Sequence, residues 1–556
     1  MNWMHGIDIF KKVLIEKASF MDHGTFDFII IGAGSAGCLL ANQLTKNPNH
    51  RVLLIEAGAK DDYLWIHIPV GYLYCIDNPR TDWQFKTEPS KGLNSRSLIY
   101  PRGKVLGGSS SINGMIYMRG QEQDYQDWVN QTTDNSWSWN HCLDRFKAFE
   151  NYHGGSNQWH GSNGPWRVSR QRLHWKVLDV FRQAANEYGI NNTDDFNRGD
   201  NSGIGYFDVN QENGFRLNAS KAFLKMASKR PNLTLITGAL VEKIHFDPVT
   251  KKTTGISFLG GDHHHTAQVH QEILLSAGSI GSVQILERSG IGQEKHLGSL
   301  GIETIVNSPG VGENLQDHLQ LRMIYKVRGI STLNTKANSF IGKGLIGLQY
   351  LLNRSGPMSM APSQLGAFTK SADYHTRSNI QYHVQPLSLE RFGEDLHSFN
   401  AITASVCNLR PTSRGSIHIT SNDVFAKPKI DPNYLSTSED QTVAIESIQT
   451  TRKIIQQSAL RAYHPEEYKP GVHLTSDDEL IHAAGDIGTT IFHPVGTCKM
   501  GSSNDANAVL DSELRVRGVK GLRVVDASAM PTITSGNTAA PTMMIAYRVA
   551  ELLRAN

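Results

Sequence analysis

The run Phe26-Asp27-Phe28-Ile29-Ile30-Ile31 leads directly into Gly32-Ala33-Gly34-Ser35-Ala36-Gly37. An apolar run ending in glycine is the pattern of a strand buried on both faces of a parallel sheet. The spacing predicts a helix from Ala36 to about Thr45, then a second buried strand, Arg51-Val52-Leu53-Leu54-Ile55-Glu56. Strand, glycine turn, helix and strand within about thirty residues make a βαβ unit that binds a dinucleotide. Gly32 permits the tight turn, Gly34 lets the backbone approach a pyrophosphate, and Gly37 allows close helix–strand packing. The helix N-terminus offers free N–H groups and partial positive charge to phosphate. Glu56 stands at the spacing expected for a ribose hydroxyl. The motif does not separate NAD from FAD, and no arginine directly follows Glu56 to mark NADP.

At 556 residues the chain exceeds one ordinary domain, so two lobes or one domain with large insertions are expected. Its 39% hydrophobic and 19% charged residues fit a soluble globular protein with ample core. A net charge of +3 without a basic stripe excludes nucleic acid as a partner class. Cys38, Cys75, Cys142, Cys407 and Cys498 are scattered and odd in number, which fits reduced thiols in a cytoplasmic protein. No run of about 18 apolar residues predicts a spanning helix. Residues 1–25 lack a signal-peptide pattern and are expected to be an extension, with the fold starting at Phe26 and Met21 as a possible start.

Further strands are expected at 232–237 and 272–276, returning to the first sheet. Between Leu319 and His482 β-like segments (414–420) and helical ones (439–456) alternate, the mark of a second lobe. A late strand (522–526) and a helix from about Pro541 to Leu553 follow. The expected division is a dinucleotide-binding domain in three parts (26–150, 205–318 and 482–556), a cap region at 151–204 and a substrate domain at 319–481.

The segment Pro101-Arg102-Gly103-Lys104-Val105-Leu106-Gly107-Gly108-Ser109-Ser110-Ser111-Ile112-Asn113-Gly114 resembles the first signature of the glucose–methanol–choline (GMC) oxidoreductases. Ser276 to Gly292 resembles their second signature. The 311–318 run and the segments around His493 and Asn537 match in order, so the resemblance spans nearly everything from Phe26 to Leu553. It implies an α/β fold: a Rossmann-like FAD-binding domain with a second, α+β substrate domain. It implies that FAD is bound by Gly32, Gly34, Ser35, Ala36, Gly37, Glu56, Ala57, Arg102, Gly103, Val105, Gly108, Ser109, Met115, Ala277, Gly278 and Thr538. Asn113 and Gly114 would lie near the reactive face of the flavin, and Val241 would meet adenine through its backbone. Asp526 and Ala527 end a late strand, where open α/β sheets bind ligands. Some members attach FAD through a histidine where this chain has Ile112, so a non-covalent flavin is expected. Val283 and Ala539 replace a proline and an asparagine common in relatives.

Alcohol oxidation by a flavin requires an acceptor for the hydroxyl proton, and a near-neutral histidine is suited to it. His493 is the candidate base, with Phe492 as a pocket wall and Asn537 orienting the substrate oxygen. Pro541 marks a helix start whose positive end would favour reduced flavin. His263-His264-His265 is expected to be a surface turn rather than a metal tract, and no metal site is expected. Asp317-His318 is expected to be a structural, flavin-adjacent pair, and Cys498 core. The expected substrate is a primary alcohol, with choline second, and the expected acceptor a quinone or another non-oxygen acceptor. Peroxide formation would mark an oxidase instead, and a redox-silent flavin a lyase. Ser339 to Leu352 is an apolar stretch. Core packing is its first expectation; lining a channel, or peripheral contact with a membrane face to reach a quinone, are the others.

Overall fold

The structure is a computed structural model that describes residues 21–390 and 393–555. Phe28, Ile29, Ile30 and Ile31 are all buried, which sets β1 (Met21–Ile31) in the interior of a sheet. Helix α1 (Ser35–Leu44) and strand β2 (Val52–Glu56) complete the predicted βαβ unit. β3 (Leu233–Thr237), β4 (Ala239–Phe246), β5 (Thr253–Gly260) and β6 (His263–Leu275) come later, followed by helix α2 (Gly278–Arg288). The order across this sheet is β3-β2-β1-β6-β5-β4, with Leu522–Val524 paired to β6. β3, β2, β1, β6 and Leu522–Val524 are parallel, whereas β5 and β4 extend the sheet as an antiparallel meander.

Two expectations change here. β1 begins at Met21 rather than Phe26, because Met21 and Asp22 pair with His265 and Thr266; Met1 to Phe20 lie outside the described residues. The histidine tract is not a turn but the start of β6, with His265 opposite Phe258 and His263 opposite Gly260. The turn falls instead on Gly261-Asp262, where φ of Gly261 is +61°.

The second sheet is wholly antiparallel, in the order 466–469, 319–326, 401–408, 380–385, 365–369, 203–206, with Gly488–Thr490 also on 319–326. Helices Lys176–Tyr188 and Ser438–Ile455 cover it. Each sheet has its own large apolar core. Register here positions the site. Leu319 pairs with Thr490, and Ile491 donates its N–H to the carbonyl of His318, so His318 and His493 emerge side by side. From the other sheet, Gly536-Asn537-Thr538 leads into the closing helix Ala539–Ala555, which packs on α1.

Helix α3 (Phe340–Asn353) departs from its first expectation. Only Tyr350 is buried in it, while Phe340, Ile341, Leu345, Leu348, Leu351 and Leu352 face solvent. All five cysteines are buried free thiols. No helix among the described residues is long and apolar enough to cross a membrane.

Candidate active site

At the C-terminal end of β1 the glycine turn is sterically obligatory. Gly32 has φ +98°, and a Cβ there would sit 2.5 Å from the carbonyl oxygen of Ser276. A Cβ on Gly37 would lie 1.9 Å from the carbonyl oxygen of Gly32, so helix and strand could not keep this spacing with any other residue. No side chain caps α1 and no acidic residue occupies its first turn. Its first N–H groups are therefore left for an anion. Glu56 is buried and accepts from Ala33 N–H and Gly58 N–H, both at 2.8 Å. The carboxylate thus clamps the turn as well as lining the cavity. Burial raises its pKa to about 7 against those two bonds.

One cavity of about 1490 Å³ runs from this turn to the second sheet. That exceeds the usual range for a drug-sized ligand, leaving room for a dinucleotide and a second molecule. Of the residues expected to hold the cofactor, Gly32, Gly34, Ser35, Ala36, Glu56, Ala57, Arg102, Gly103, Gly108, Ser109, Asn113, Gly114, Met115, Val241, Ala277, Gly278, Asp526, Ala527, Asn537 and Thr538 line it, as does His493. Gly37 and Val105 do not. Gly37 faces the Gly32 turn, and Val105 packs with Ile66, Cys75 and Ile112.

His493 and Asn537 meet in this cavity, with Asn537 Nδ2 lying 3.1 Å from His493 Nε2. The other imidazole nitrogen, Nδ1, is 3.0 Å from Nδ1 of His318, whose Nε2 is 3.1 Å from the carbonyl oxygen of Leu409. These contacts fix the tautomers by elimination. A carbonyl only accepts, so His318 Nε2 carries a proton. Neutral His318 then presents a lone pair at Nδ1, and His493 Nδ1 must donate to it. His493 Nε2 is consequently the unprotonated nitrogen, receiving Asn537 Nδ2–H. Asn537 Oδ1 is buried with no hydrogen-bond partner among the described residues.

Charge supports the same assignment. Burial first, then the neighbouring His318, His383 and Arg102, hold the His493 imidazole well below its ordinary pKa. Burial likewise pulls His318 down to about 4 and His383, which also lines the cavity, to about 3. The three rings are neutral at pH 7.

Asp317 is the hub of the frame. It accepts from Tyr100 and Tyr434 hydroxyls, from Thr490 Oγ1, and from the backbone N–H of His493 at 2.8 Å. Phe492 is held at φ +69°, uncommon for a bulky residue, with Arg102 donating to its carbonyl. Asn113 Oδ1 accepts from Met115 N–H and from the buried guanidinium of Arg216. Asp526 spends its oxygens on Gly278, Ser282 and Ser528, joining two helix starts. The tautomer role of His318 and the parts played by Arg216 and His383 are absent from the sequence reading. Asp317-His318 was visible only as an adjacent pair.

Glu287, His296 and His418, none of them in the triple-histidine tract, form a cluster with metal-like spacing. Both nitrogens of His418 are already engaged, by Glu287 at 2.7 Å and Glu313 at 3.1 Å. Despite burial, those carboxylates raise its pKa to about 9. This is an ion-paired brace.

The buried rings set a pH window for stability. In the unfolded chain each histidine takes a proton near pH 6.5, whereas the folded rings resist it down to about 4 for His318 and about 3 for His383. Folding stability therefore falls as pH drops below about 6.5 and keeps falling to about 3, by up to a few kcal/mol. Chemical denaturation of the holoenzyme between pH 8 and 4 measures it, and a His318→Asn variant flattens part of the slope.

Comparison with known proteins agrees with this site. Two models described as GMC oxidoreductase match, one over residues 26–320 and the other over 411–546. The chain is 39% identical over 532 residues to an alcohol dehydrogenase [acceptor] of Pseudomonas putida, covering 95% of each chain. It is 39% identical over 535 residues to an oxygen-dependent choline dehydrogenase of Photobacterium profundum, covering 96% of this chain and 93% of that one. Among solved structures it superposes on pyridoxine 4-oxidase from Mesorbium loti with TM-score 0.87 at 29% identity, covering 96% of this chain and 99% of that one. An FAD-dependent oxidoreductase from Chaetomium thermophilum gives TM-score 0.87 at 26% identity, with 95% and 99% covered. The dinucleotide for this cradle is FAD, and the chain belongs to the GMC oxidoreductase family.

Proposed function

We propose that the protein oxidises a neutral primary alcohol to the aldehyde, with His493 as the base. The observation that carries this reading is the unprotonated Nε2 of His493 facing Asn537 Nδ2 inside the cavity. A substrate hydroxyl that displaces their mutual contact donates to Nε2 and accepts from Nδ2–H. The base removes the O–H proton while Asn537 holds the oxygen as it gains charge. Hydrogen bonding of Nδ1–H to His318 keeps the ring in the productive tautomer. FAD, when bound, supplies the acceptor for the carbinol hydride. Asn537, Thr538 and Ala539 place the start of the closing helix at the cavity, where its positive end favours negative charge on whatever lies there. Ile112 offers no nucleophile for a covalent flavin link.

Names among the relatives point to both alcohols and choline, and Arg322 separates the two. Its guanidinium lines the cavity from strand 319–326, is partly desolvated, and makes no ion pair among the described residues. Glu390, Glu394 and Asp395 also line the cavity, and Glu390 is paired with Lys469. A fixed cation in a low-dielectric cavity disfavours a quaternary ammonium substrate. Onward transfer to a quinone or similar non-oxygen acceptor completes the proposal; of the relatives, one is named for an unspecified acceptor and another for oxygen dependence.

Replacing His493 by Gln lowers kcat/KM by about 10² to 10⁴-fold while flavin content is retained; stopped-flow bleaching of the flavin under anaerobic alcohol reads this directly. His318→Leu, which removes the acceptor for Nδ1–H, lowers kcat with little change in KM, and His318→Asn restores much of it. An unchanged bleaching rate in His493→Gln removes the residue from the chemistry. For the wild type, kcat/KM for a neutral primary alcohol exceeds that for choline by at least about tenfold, and Arg322→Met narrows the gap. A preference for choline would overturn the substrate assignment.

A further inference from the structure

A surface helix ordinarily turns its apolar stripe inward and its polar face to water. Helix α3 does the reverse. At about 100° per residue, Ile341, Leu345, Leu348 and Leu352 fall in a single stripe, flanked by Phe340 and Leu351. That stripe faces solvent, with Phe340 94% exposed and Ile341, Leu351 and Leu352 at 76%, 68% and 72%. The inward side is carried by Ile346, packed on the second core, and by Tyr350, whose hydroxyl donates to the carbonyl of Gly214. Solvent-facing leucines at this density are a contact surface.

Three observations identify what covers it. The helix borders the cavity: its Lys343 and Ile346 line it, as do Leu333, Ala337 and Asn338 just before the helix and the exposed Leu73, Tyr74 and Phe425 from other segments. Its 14 residues span about 21 Å, short of the ~30 Å hydrocarbon core, so it can lie along a bilayer but not cross one. Between Asp317 and Asp373 the chain has no acidic residue, while Lys336 and Arg354 flank the helix in sequence. An apolar face on a net basic segment without acidic residues matches a lipid surface with anionic headgroups.

We propose that α3 docks the protein on an anionic lipid bilayer, with the cavity mouth against the surface so that an apolar primary alcohol enters from the acyl layer. The substrate part rests on the alcohol-oxidising reading above; the docking does not. Arg322 then lies on the protein side of the mouth, where it meets the polar part of an entering molecule.

The test is co-sedimentation of the holoenzyme with phosphatidylglycerol/phosphatidylethanolamine vesicles and with phosphatidylcholine vesicles. Neither Leu345 nor Leu348 lines the cavity, so the Leu345→Ser/Leu348→Ser variant leaves the site intact. The wild type is expected to pellet with the anionic vesicles and less with phosphatidylcholine. The variant should bind them about tenfold more weakly while oxidising a short water-soluble alcohol at the wild-type rate. Wild-type protein remaining in the supernatant with both compositions, or a variant that pellets equally, overturns the proposal. So does sedimentation velocity without vesicles showing a dimer that the variant dissolves, because the face would then be covered by a second copy. Vesicle binding without alcohol turnover would leave the docking standing and remove the catalytic reading.

Discussion

A line of hydrogen bonds running from the carbonyl of Leu409 through His318 and His493 to Asn537 determines what this site can do. Each link has one polarity. The carbonyl cannot donate, so every proton along the line is assigned, and the last imidazole nitrogen is left with a lone pair that accepts from Asn537 in the cavity. Burial keeps the line from being scrambled by protonation, since charging His493 would place a cation in a desolvated site near Arg102, and charging His318 one near Arg410.

The rest of the fold keeps this line in place. His318 starts a strand of the second sheet, and His493 follows a strand paired to it, so their spacing is a matter of sheet register. Asn537 arrives from the first sheet's side, just before a helix packed on α1. Asp317 ties the two strands to Tyr100 and Tyr434. The flavin cradle and the base are thus parts of separate sheets joined at one cavity, with the dinucleotide turn at one end and the apolar α3 at the other.

Much of this was legible in the chain. The Gly32–Gly37 turn and Glu56 announced themselves by spacing, because only glycine tolerates the Ser276 and Gly32 contacts. His493 and Asn537 stood out through their surrounding motifs. What stayed hidden depends on partners distant in sequence. Residues 318 and 493 are 175 positions apart, so no local pattern could show that one sets the tautomer of the other. Val105 sits within a cofactor-like signature yet packs into a small core, since side chains alternate faces even within a binding loop. The histidine tract resembled a turn because of its glycines, but pairing with β5 placed the turn two residues earlier. Helix α3 was misread toward the core for a simple reason: apolar composition does not say which way a helix faces.

The tautomer of His493 tests this account most directly. Selective ¹⁵N-histidine labelling, with the resonances assigned through His493→Gln and His318→Asn variants, distinguishes protonated from unprotonated ring nitrogens. The account predicts a neutral His493 at pH 7.5 with its proton on Nδ1 and Nε2 bare. A proton on Nε2, or an imidazolium at that pH, would contradict it.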